Sequence, residues 1–251
     1  MHLVVYEPWR LVYAPLPKCA STTMINLLLD ASGMPARRGP RDCPRKTAAQ
    51  VGRGATGVYE LRLEGDEIAA VARRLAAYTW FSVTRDPFAR VESNYRNKLN
   101  RYARRFHPLA YLASYATPVR LGTSVEAWQA ARINTMQKVI SFEQFVHGLA
   151  RHGTEWDPHF APQVRVLELD RVRFDRLIDM EQLAAGLESL FRSIGRLASV
   201  RGSLEALRHD NASRSADVRS LWTPQLRAVV ADLYHDDFAG LEAATAGRRA
   251  A

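Results

Sequence analysis

A short polar stretch near the amino terminus contains residue types that bind anions. Residues 15–23 read PLPKCASTT, after the apolar run LVYA and before the helix-like run MINLLLDA. The first backbone N–H groups of a helix have no intrahelical acceptor and lie at the positive end of the helix dipole, so an anion can bind there. Lys18 adds a full positive charge, and three hydroxyls at 21–23 add donors. The stretch predicts a phosphate-binding loop; the alternative is an ordinary capped helix beside a surface lysine.

A second candidate anion site follows residues 78–83, YTWFSV, a run typical of a buried strand. Arg85 lies just past this predicted strand, where open α/β sheets bind their ligands. Ser93 lies eight residues later, in a helix predicted over 84–103. An arginine and a nearby serine can bind a second phosphate. The alternative is that Arg85 pairs with Asp86 or another acid near the strand end.

Predicted strands and helices alternate along the chain and position these two stretches. Extended structure is predicted over 3–14 and 78–83, helices over 22–32, 66–77, 84–103 and 141–150, a strand, turn, short strand and helix over 164–191, and a last helix that Thr223 caps. This alternation indicates an α/β fold with a central, mainly parallel sheet flanked by helices. Because no linker composition divides the chain, we expect a single domain over residues 1–251.

The composition is that of a globular protein, with 251 residues, 47% hydrophobic and 24% charged. The longest apolar runs are well short of the roughly 20 residues of a membrane-spanning helix. The first fifteen residues lack the basic region of a signal peptide. Two cysteines are too few for a disulfide framework or a zinc site. We therefore expect a cytoplasmic protein with no integral membrane segment.

The formal net charge of +9 favours anionic partners. No helix-turn-helix, zinc-finger or RNA-binding aromatic pattern occurs, so nucleic acid is not an expected partner. Two alternatives remain open. A P-loop-type nucleotide kinase would need a glycine-rich loop and a magnesium-binding acid after a second strand, and neither is evident. A non-enzymatic polyanion-binding protein would show salt-sensitive binding that does not depend on Lys18.

The two stretches together resemble a known family. PKCASTT, followed by a strand that ends in RDPFARVESNYRNK, is similar to the sulfotransferases that use 3′-phosphoadenosine 5′-phosphosulfate. The second stretch resembles in particular the carbohydrate sulfotransferase branch of the HNK-1, chondroitin and dermatan type, or sulfotransferase family 2. Three further elements of that branch have counterparts in DPHFAPQ (157–163), FDRLIDMEQLAAGL (174–187) and HDNASRS with LYHDDF (209–238). The resemblance runs, with gaps, from about residue 11 to residue 240.

Three features depart from the family pattern. Ala20 stands where many relatives have glycine in the loop, and Phe160 replaces the usual tryptophan after His159. The chain also lacks the membrane anchor and the cysteines of the Golgi members, from which we expect a soluble, bacterial enzyme.

The resemblance implies a P-loop-like three-layer fold and an O-sulfotransferase. The enzyme would move a sulfuryl group from 3′-phosphoadenosine 5′-phosphosulfate to a hydroxyl of a carbohydrate or glycosylated small molecule, leaving 3′,5′-adenosine bisphosphate, without a metal. The residues implied to hold the 5′-phosphosulfate are Pro17, Lys18, Cys19, Ala20, Ser21, Thr22 and Thr23. Arg85 and Ser93 would hold the 3′-phosphate. The residues implied to close over the nucleotide are Asn211, Ser213 and Arg214.

Sulfuryl transfer resembles phosphoryl transfer, because the protein supplies alignment and positive charge to a loose transition state. Lys18 would stabilise the leaving phosphate oxygen. In related enzymes the base is a His or Glu just before the amphipathic helix that leads into the RDPF strand, and Glu60 is nearest to that place. His159 is the second candidate, and Glu64 and His107 are further ones. The sequence leaves this choice open, because geometry decides it.

Overall fold

The computed structural model describes residues 1–31, 57–116, 123–212 and 221–246. Within these ranges the chain forms five strands and eleven α-helices. The chain divides into two compact units. The first unit consists of Met1–Asp86, Gln163–Arg219 and Ala239–Ala251, and the second of Pro87–Pro162 and Ser220–Phe238. Each unit has a hydrophobic core of its own.

The first unit contains the sheet. Its strands are β1 (His2–Tyr6), β2 (Leu11–Ala14), β3 (Val58–Arg62), β4 (Thr79–Thr84) and β5 (Arg176–Asp179), in the order β3-β1-β2-β4-β5. β1 is antiparallel to both of its neighbours, whereas β2, β4 and β5 pair in parallel. The sheet is therefore mixed, which corrects the prediction of a mainly parallel sheet.

A hairpin accounts for the antiparallel strand. β1 and β2 are joined by a 3-10 turn at Glu7–Trp9, and Arg10 completes the turn with a left-handed backbone, φ 48°. A connection this short can join only antiparallel strands, because a parallel pair needs a long crossover. The sequence predicted extended structure over 3–14 but not its reversal.

Helices occur in both units. Those of the first unit are α1 (Ser21–Ala31), α2 (Asp66–Arg74), α7 (Gln163–Val166), α8 (Leu183–Ser193) and α9 (Leu197–Ala212). Those of the second unit are α3 (Pro87–Phe106), α4 (Pro108–Ala113), α5 (Val125–Gln137), α6 (Phe142–His152) and α10 (Pro224–Leu233). The last helix, α11 (His235–Ala246), has residues in both units. These findings support an α/β fold, and the P-loop-like three-layer arrangement stays a prediction.

Local signals placed most helices correctly. The Thr223 side chain accepts a hydrogen bond from the backbone N–H of Leu226 at 3.2 Å, which confirms the predicted cap of α10. The apolar run after Pro162 was predicted to be a strand, and this is wrong. Gln163 and Leu167 are buried four residues apart in a single helical turn, and Glu168 then ends the turn with φ 52°. Alternating apolar residues indicate a strand only when every second residue is buried.

The core of the first unit explains the position of the strand ends. β1 and β2 are buried almost throughout, as expected of apolar runs covered on both faces. Tyr13 on β2 stacks on Phe81 on β4, with 4.9 Å between ring centroids. Since these two strands are parallel neighbours, their carboxyl ends lie side by side at one edge of the sheet.

Candidate functional site

The structure brings two of the predicted anion-binding segments together. The Lys18 loop, residues 15–20, follows β2, and Arg85 follows β4 directly. A guanidinium nitrogen of Arg85, Nη1, donates a hydrogen bond to the backbone carbonyl of Lys18 at 3.3 Å. Within the described residues, this carbonyl is the one acceptor that the guanidinium has. In the described part of the first unit, the Arg85 guanidinium therefore lies beside the Lys18 loop, and most of its N–H groups have no protein acceptor.

The backbone of the Lys18 loop has an unusual conformation. Both Lys18 and Ala20 are left-handed, with φ 69° and φ 53°, whereas the intervening Cys19 is not. Non-glycine residues rarely adopt positive φ, and such strain concentrates at ligand sites. Alternation between left- and right-handed residues turns successive N–H groups toward one side and can form an anion-binding nest. α1 then begins at Ser21, so the N–H groups of its first turn have no acceptor inside the helix.

The positive φ of Ala20 gives a physical reason for the glycine that many relatives have at this position. Glycine adopts the left-handed region without a steric penalty, whereas a Cβ atom costs roughly 1–2 kcal/mol there. In this chain the loop keeps the same backbone with alanine. The departure noted in the sequence is therefore compatible with the predicted role of the loop.

A buried glutamine joins the two segments. The side-chain oxygen of Gln163, Oε1, accepts a hydrogen bond from the backbone N–H of Arg85 at 3.0 Å, and its Nε2 donates to the Arg85 carbonyl at 2.8 Å. The same Oε1 accepts from the thiol of Cys19 at 3.5 Å. Gln163 closes the DPHFAPQ stretch, but the sequence alone assigned it no role. The motif was the only signal that could have drawn attention to it.

Two other predicted site residues, Ser93 and His159, lie in the second unit. Ser93 lies half-buried on the second turn of α3, and its carbonyl accepts a hydrogen bond from Asn97 at 3.0 Å. His159 lies in a non-regular segment, residues 157–162, that we call the His159 segment.

His159 forms a hydrogen-bonded pair with a carboxylate. Its Nδ1 lies 2.7 Å from Oδ1 of Asp157, and its backbone N–H donates to the same oxygen at 2.9 Å. The other carboxylate oxygen accepts from Nη1 of Arg101 at 2.7 Å. Only 12% of each side chain in the His–Asp pair is exposed. Because an ionised carboxylate can only accept, Nδ1 carries the ring proton of the neutral imidazole and Nε2 is left as the basic nitrogen.

The protonation states in this pair follow from its surroundings. Burial alone would raise the pKa of Asp157, but the hydrogen bonds from His159 and Arg101 outweigh it and hold the pKa well below its ordinary value. Burial lowers the pKa of His159, and the hydrogen bond to Asp157 offsets only part of this effect. The charges of Arg101 and Lys98 lower the pKa of His159 further. At neutral pH the pair therefore consists of a carboxylate and a neutral imidazole.

Side chains of α3 and of Tyr234, which directly follows α10, bond the backbone of the His159 segment. The hydrogen bonds to its carbonyls come from Arg90 Nη2 to Pro158 (3.0 Å), Asn94 Nδ2 to His159, Tyr234 Oη to Phe160 (2.7 Å) and Arg90 Nη1 to Ala161 (2.8 Å). Arg90 is only 1% exposed. Arg90 and Asn94 belong to the RDPFARVESN stretch and Tyr234 to LYHDDF, so three elements of the resemblance meet here. The motifs contain these residues but indicate no role for them.

Glu60 lies within the sheet. It is on the edge strand β3, opposite Val4, and β3 is two strands, or about 10 Å, from β2. Its carboxylate oxygen Oε2 lies 3.2 Å from Nε2 of His2, and 6% of its side chain is exposed. Glu60 is thus already paired with a neighbouring side chain.

The two remaining base candidates lie near helix starts. Glu64 is exposed, and its backbone N–H donates to a carboxylate oxygen of Glu67 at 3.1 Å. His107 precedes α4, and its ring centroid is 5.5 Å from that of Tyr102. Among the described residues, neither side chain is paired with a carboxylate as the ring of His159 is.

The predicted nucleotide-covering residues are mostly outside the described part of the chain. Ser213 and Arg214 lie outside the described residues, and Asn211 is described only as a backbone position in α9. Among the described residues, no group of three or more His, Cys, Asp or Glu could hold a metal ion. No described helix has both the length and the hydropathy needed to cross a membrane.

Comparisons with known proteins agree on one family. The model of the Sulfotransferase family matches residues 1–241, which include every stretch quoted for the resemblance. Carbohydrate sulfotransferase 11 of Rattus norvegicus and that of Mus musculus are each 27% identical to the chain over 227 residues. Each alignment covers 86% of this chain and 58% of the relative, so the chain spans little more than half the length of these relatives. No solved structure matches the chain.

Proposed function

Because this chain belongs to the sulfotransferase family, we propose that it transfers a sulfuryl group from 3′-phosphoadenosine 5′-phosphosulfate to a hydroxyl of a carbohydrate or glycosylated small molecule. The observation that carries the proposal is the junction of the Lys18 loop with Arg85 at adjacent strand ends. That both curated relatives are carbohydrate sulfotransferases supports a carbohydrate acceptor.

The residues of the first unit fit a donor with two anionic groups. The left-handed loop and the start of α1 direct backbone N–H groups outward, and the half-buried Lys18 adds a charge, so this loop suits the 5′-phosphosulfate. Arg85 keeps most of its donors for a second anion, the 3′-phosphate. The donor supplies an activated sulfuryl group whose leaving group is a phosphate. Lys18 would stabilise the negative charge that grows on that phosphate.

For the general base we propose His159 in preference to Glu60. The imidazole is neutral at pH 7, and its tautomer is set by Asp157, so Nε2 can accept a proton from an acceptor hydroxyl. Asp157, itself held by Arg101, would orient the ring and stabilise the imidazolium that forms, as the aspartate does in a Ser-His-Asp triad. Glu60, in contrast, is buried in the sheet and paired with His2. This pairing supports a structural role for Glu60.

Calorimetric titration without magnesium tests the donor assignment. We expect 3′,5′-adenosine bisphosphate to bind much more tightly than 5′-AMP or ATP, because only the bisphosphate presents both anions in the required positions. Equal or absent binding of all three nucleotides would contradict the proposal and favour a non-enzymatic polyanion binder. Preferential binding of ATP in the presence of magnesium would favour a nucleotide kinase.

A further inference from the structure

We propose that Gln163 is a positioning residue that couples the Lys18 loop to Arg85, so that recognition of the nucleotide 3′-phosphate depends on the Gln163 side-chain amide. The inference rests on the proposed function, because it gives Arg85 the role of 3′-phosphate ligand. It adds a residue that is not itself expected to touch the donor.

The bonding of Arg85 is the first argument. Arg85 lies one residue beyond Thr84, the last residue of β4, which pairs with Asp179 at the end of the β4–β5 ladder. The Gln163 amide then bonds both the N–H and the C=O of Arg85, at 3.0 Å and 2.8 Å. A side chain thus takes the place of a neighbouring strand and fixes both backbone dihedrals of Arg85. Because the guanidinium is carried by this backbone, the amide sets where the guanidinium can reach.

The second argument is that the amide is part of a closed set of contacts. Gln163 bonds the backbone of Arg85, Arg85 Nη1 bonds the carbonyl of Lys18, and the thiol of Cys19 bonds Gln163 Oε1. Lys18 and Cys19 are consecutive, so the three contacts return to the same loop. The Lys18 loop and the arginine therefore cannot move independently while the amide is in place.

Burial supplies the third argument. Gln163 and Cys19 are both fully buried, so water cannot readily replace a lost amide contact. A buried donor or acceptor without a partner is costly, so the surrounding backbone would shift to satisfy it. The Arg85 backbone is the group that would shift, since both its N–H and its C=O bond the amide.

A ratio of affinities separates positioning from a general contribution to stability. 3′,5′-Adenosine bisphosphate and 5′-AMP differ only in the 3′-phosphate, which Arg85 is proposed to bind. The dissociation constant of 5′-AMP divided by that of the bisphosphate therefore measures recognition of the 3′-phosphate. We expect Gln163→Met, which keeps the length of the side chain but removes both hydrogen-bonding atoms, to reduce this ratio about tenfold or more. Gln182→Met, at an exposed glutamine of the same unit, is the control and should leave the ratio unchanged.

A double-mutant cycle then tests whether Gln163 acts through Arg85. Arg85→Ala should abolish most of the discrimination, and adding Gln163→Met should reduce it no further. Thermal unfolding of each variant shows whether it is folded. If Gln163→Met does not fold, Gln163→Glu carries the same test, because it keeps the volume and one oxygen but replaces the Nε2 donor that faces the Arg85 carbonyl.

The outcomes distinguish the two proposals. If the wild-type protein does not discriminate between the bisphosphate and 5′-AMP, both the donor assignment and this inference are wrong. If the wild type discriminates but a folded Gln163 variant keeps the wild-type ratio, the inference alone is overturned. Additive losses in the cycle would likewise show that Gln163 does not act through Arg85.

Discussion

The Lys18 loop and the His159 segment are both non-regular, and the structure holds them in different ways. The Lys18 loop has a strained backbone with two left-handed residues, and its neighbouring helix start has N–H groups without intrahelical acceptors. In the His159 segment, four consecutive carbonyls accept hydrogen bonds from side chains of α3 and from Tyr234, which directly follows α10. A loop that binds an anion through its backbone must leave N–H groups available, whereas a segment that presents one side chain can have its backbone fully bonded.

The two regions also use positive charge differently. Lys18 is half-buried, and its loop faces a predicted anion. Arg90 is almost completely buried and bonds the carbonyls of Pro158 and Ala161. Charge alone therefore does not identify a functional residue in this chain. The two cations differ in burial, because Lys18 is half-buried whereas Arg90 is 1% exposed.

The largest effect on stability is expected from Arg90→Leu. This change leaves two buried carbonyls without donors and removes a buried charge, so the free energy of unfolding should fall by about 3–5 kcal/mol. Arg104→Leu, at an exposed position of the same helix, is the matched control and should change it by less than about 0.5 kcal/mol. Urea denaturation measures both. Equal effects of the two changes would show that Arg90 does not hold the His159 segment.

Lys18→Ala tests whether the Lys18 loop acts in catalysis and not in stabilising the fold. Because Lys18 would act on developing charge and is only half-buried, we expect kcat to fall by about 10²–10³ while the unfolding transition stays in place. Lys138→Ala, at an exposed lysine, is the control. Turnover is measured as release of 3′,5′-adenosine bisphosphate from the donor. Turnover at the wild-type level would remove Lys18 from the catalytic residues.

A pH profile distinguishes His159 from Glu60. Burial lowers the pKa of His159, so the acid limb of kcat/KM should lie below about pH 6.5. Asp157→Asn removes the carboxylate that raises this pKa, while Arg101 and Lys98, which lower it, remain. The limb should then move to lower pH. Glu60→Gln should leave the limb in place; a shift with this variant and none with Asp157→Asn would make Glu60 the better candidate.

The smallest effect is expected from Ala20→Gly. Glycine relieves the positive φ of the loop, so the free energy of unfolding should rise by up to about 1 kcal/mol. Ala70→Gly, at an exposed position inside α2, should lower it by about 1 kcal/mol, because glycine disfavours a regular helix. Thermal unfolding measures the predicted increase in stability for Ala20→Gly and the predicted decrease for Ala70→Gly. A loss of stability in Ala20→Gly would mean that the loop is not strained at this residue.

The amino-acid sequence by itself determined the features that depend on near neighbours. The Lys18 loop before α1, Arg85 after a buried strand and the cap at Thr223 were all predicted from residues within a few positions of one another. These features follow from helix-start chemistry and apolar runs, which act over one or two turns of chain. The family resemblance also identified motifs farther along the chain, such as DPHFAPQ, but it did not explain the role of every residue in them.

Only the tertiary structure decided which distant residues meet. Gln163 lies 144 positions from Cys19 and 78 from Arg85, and Tyr234 lies 74 from Phe160. The mixed sheet, the burial of Glu60 and the Asp157–His159–Arg101 arrangement likewise depend on packing. A hydrogen bond between residues so far apart is specified by the fold that brings them together, since no local pattern of residue types carries information about its partner.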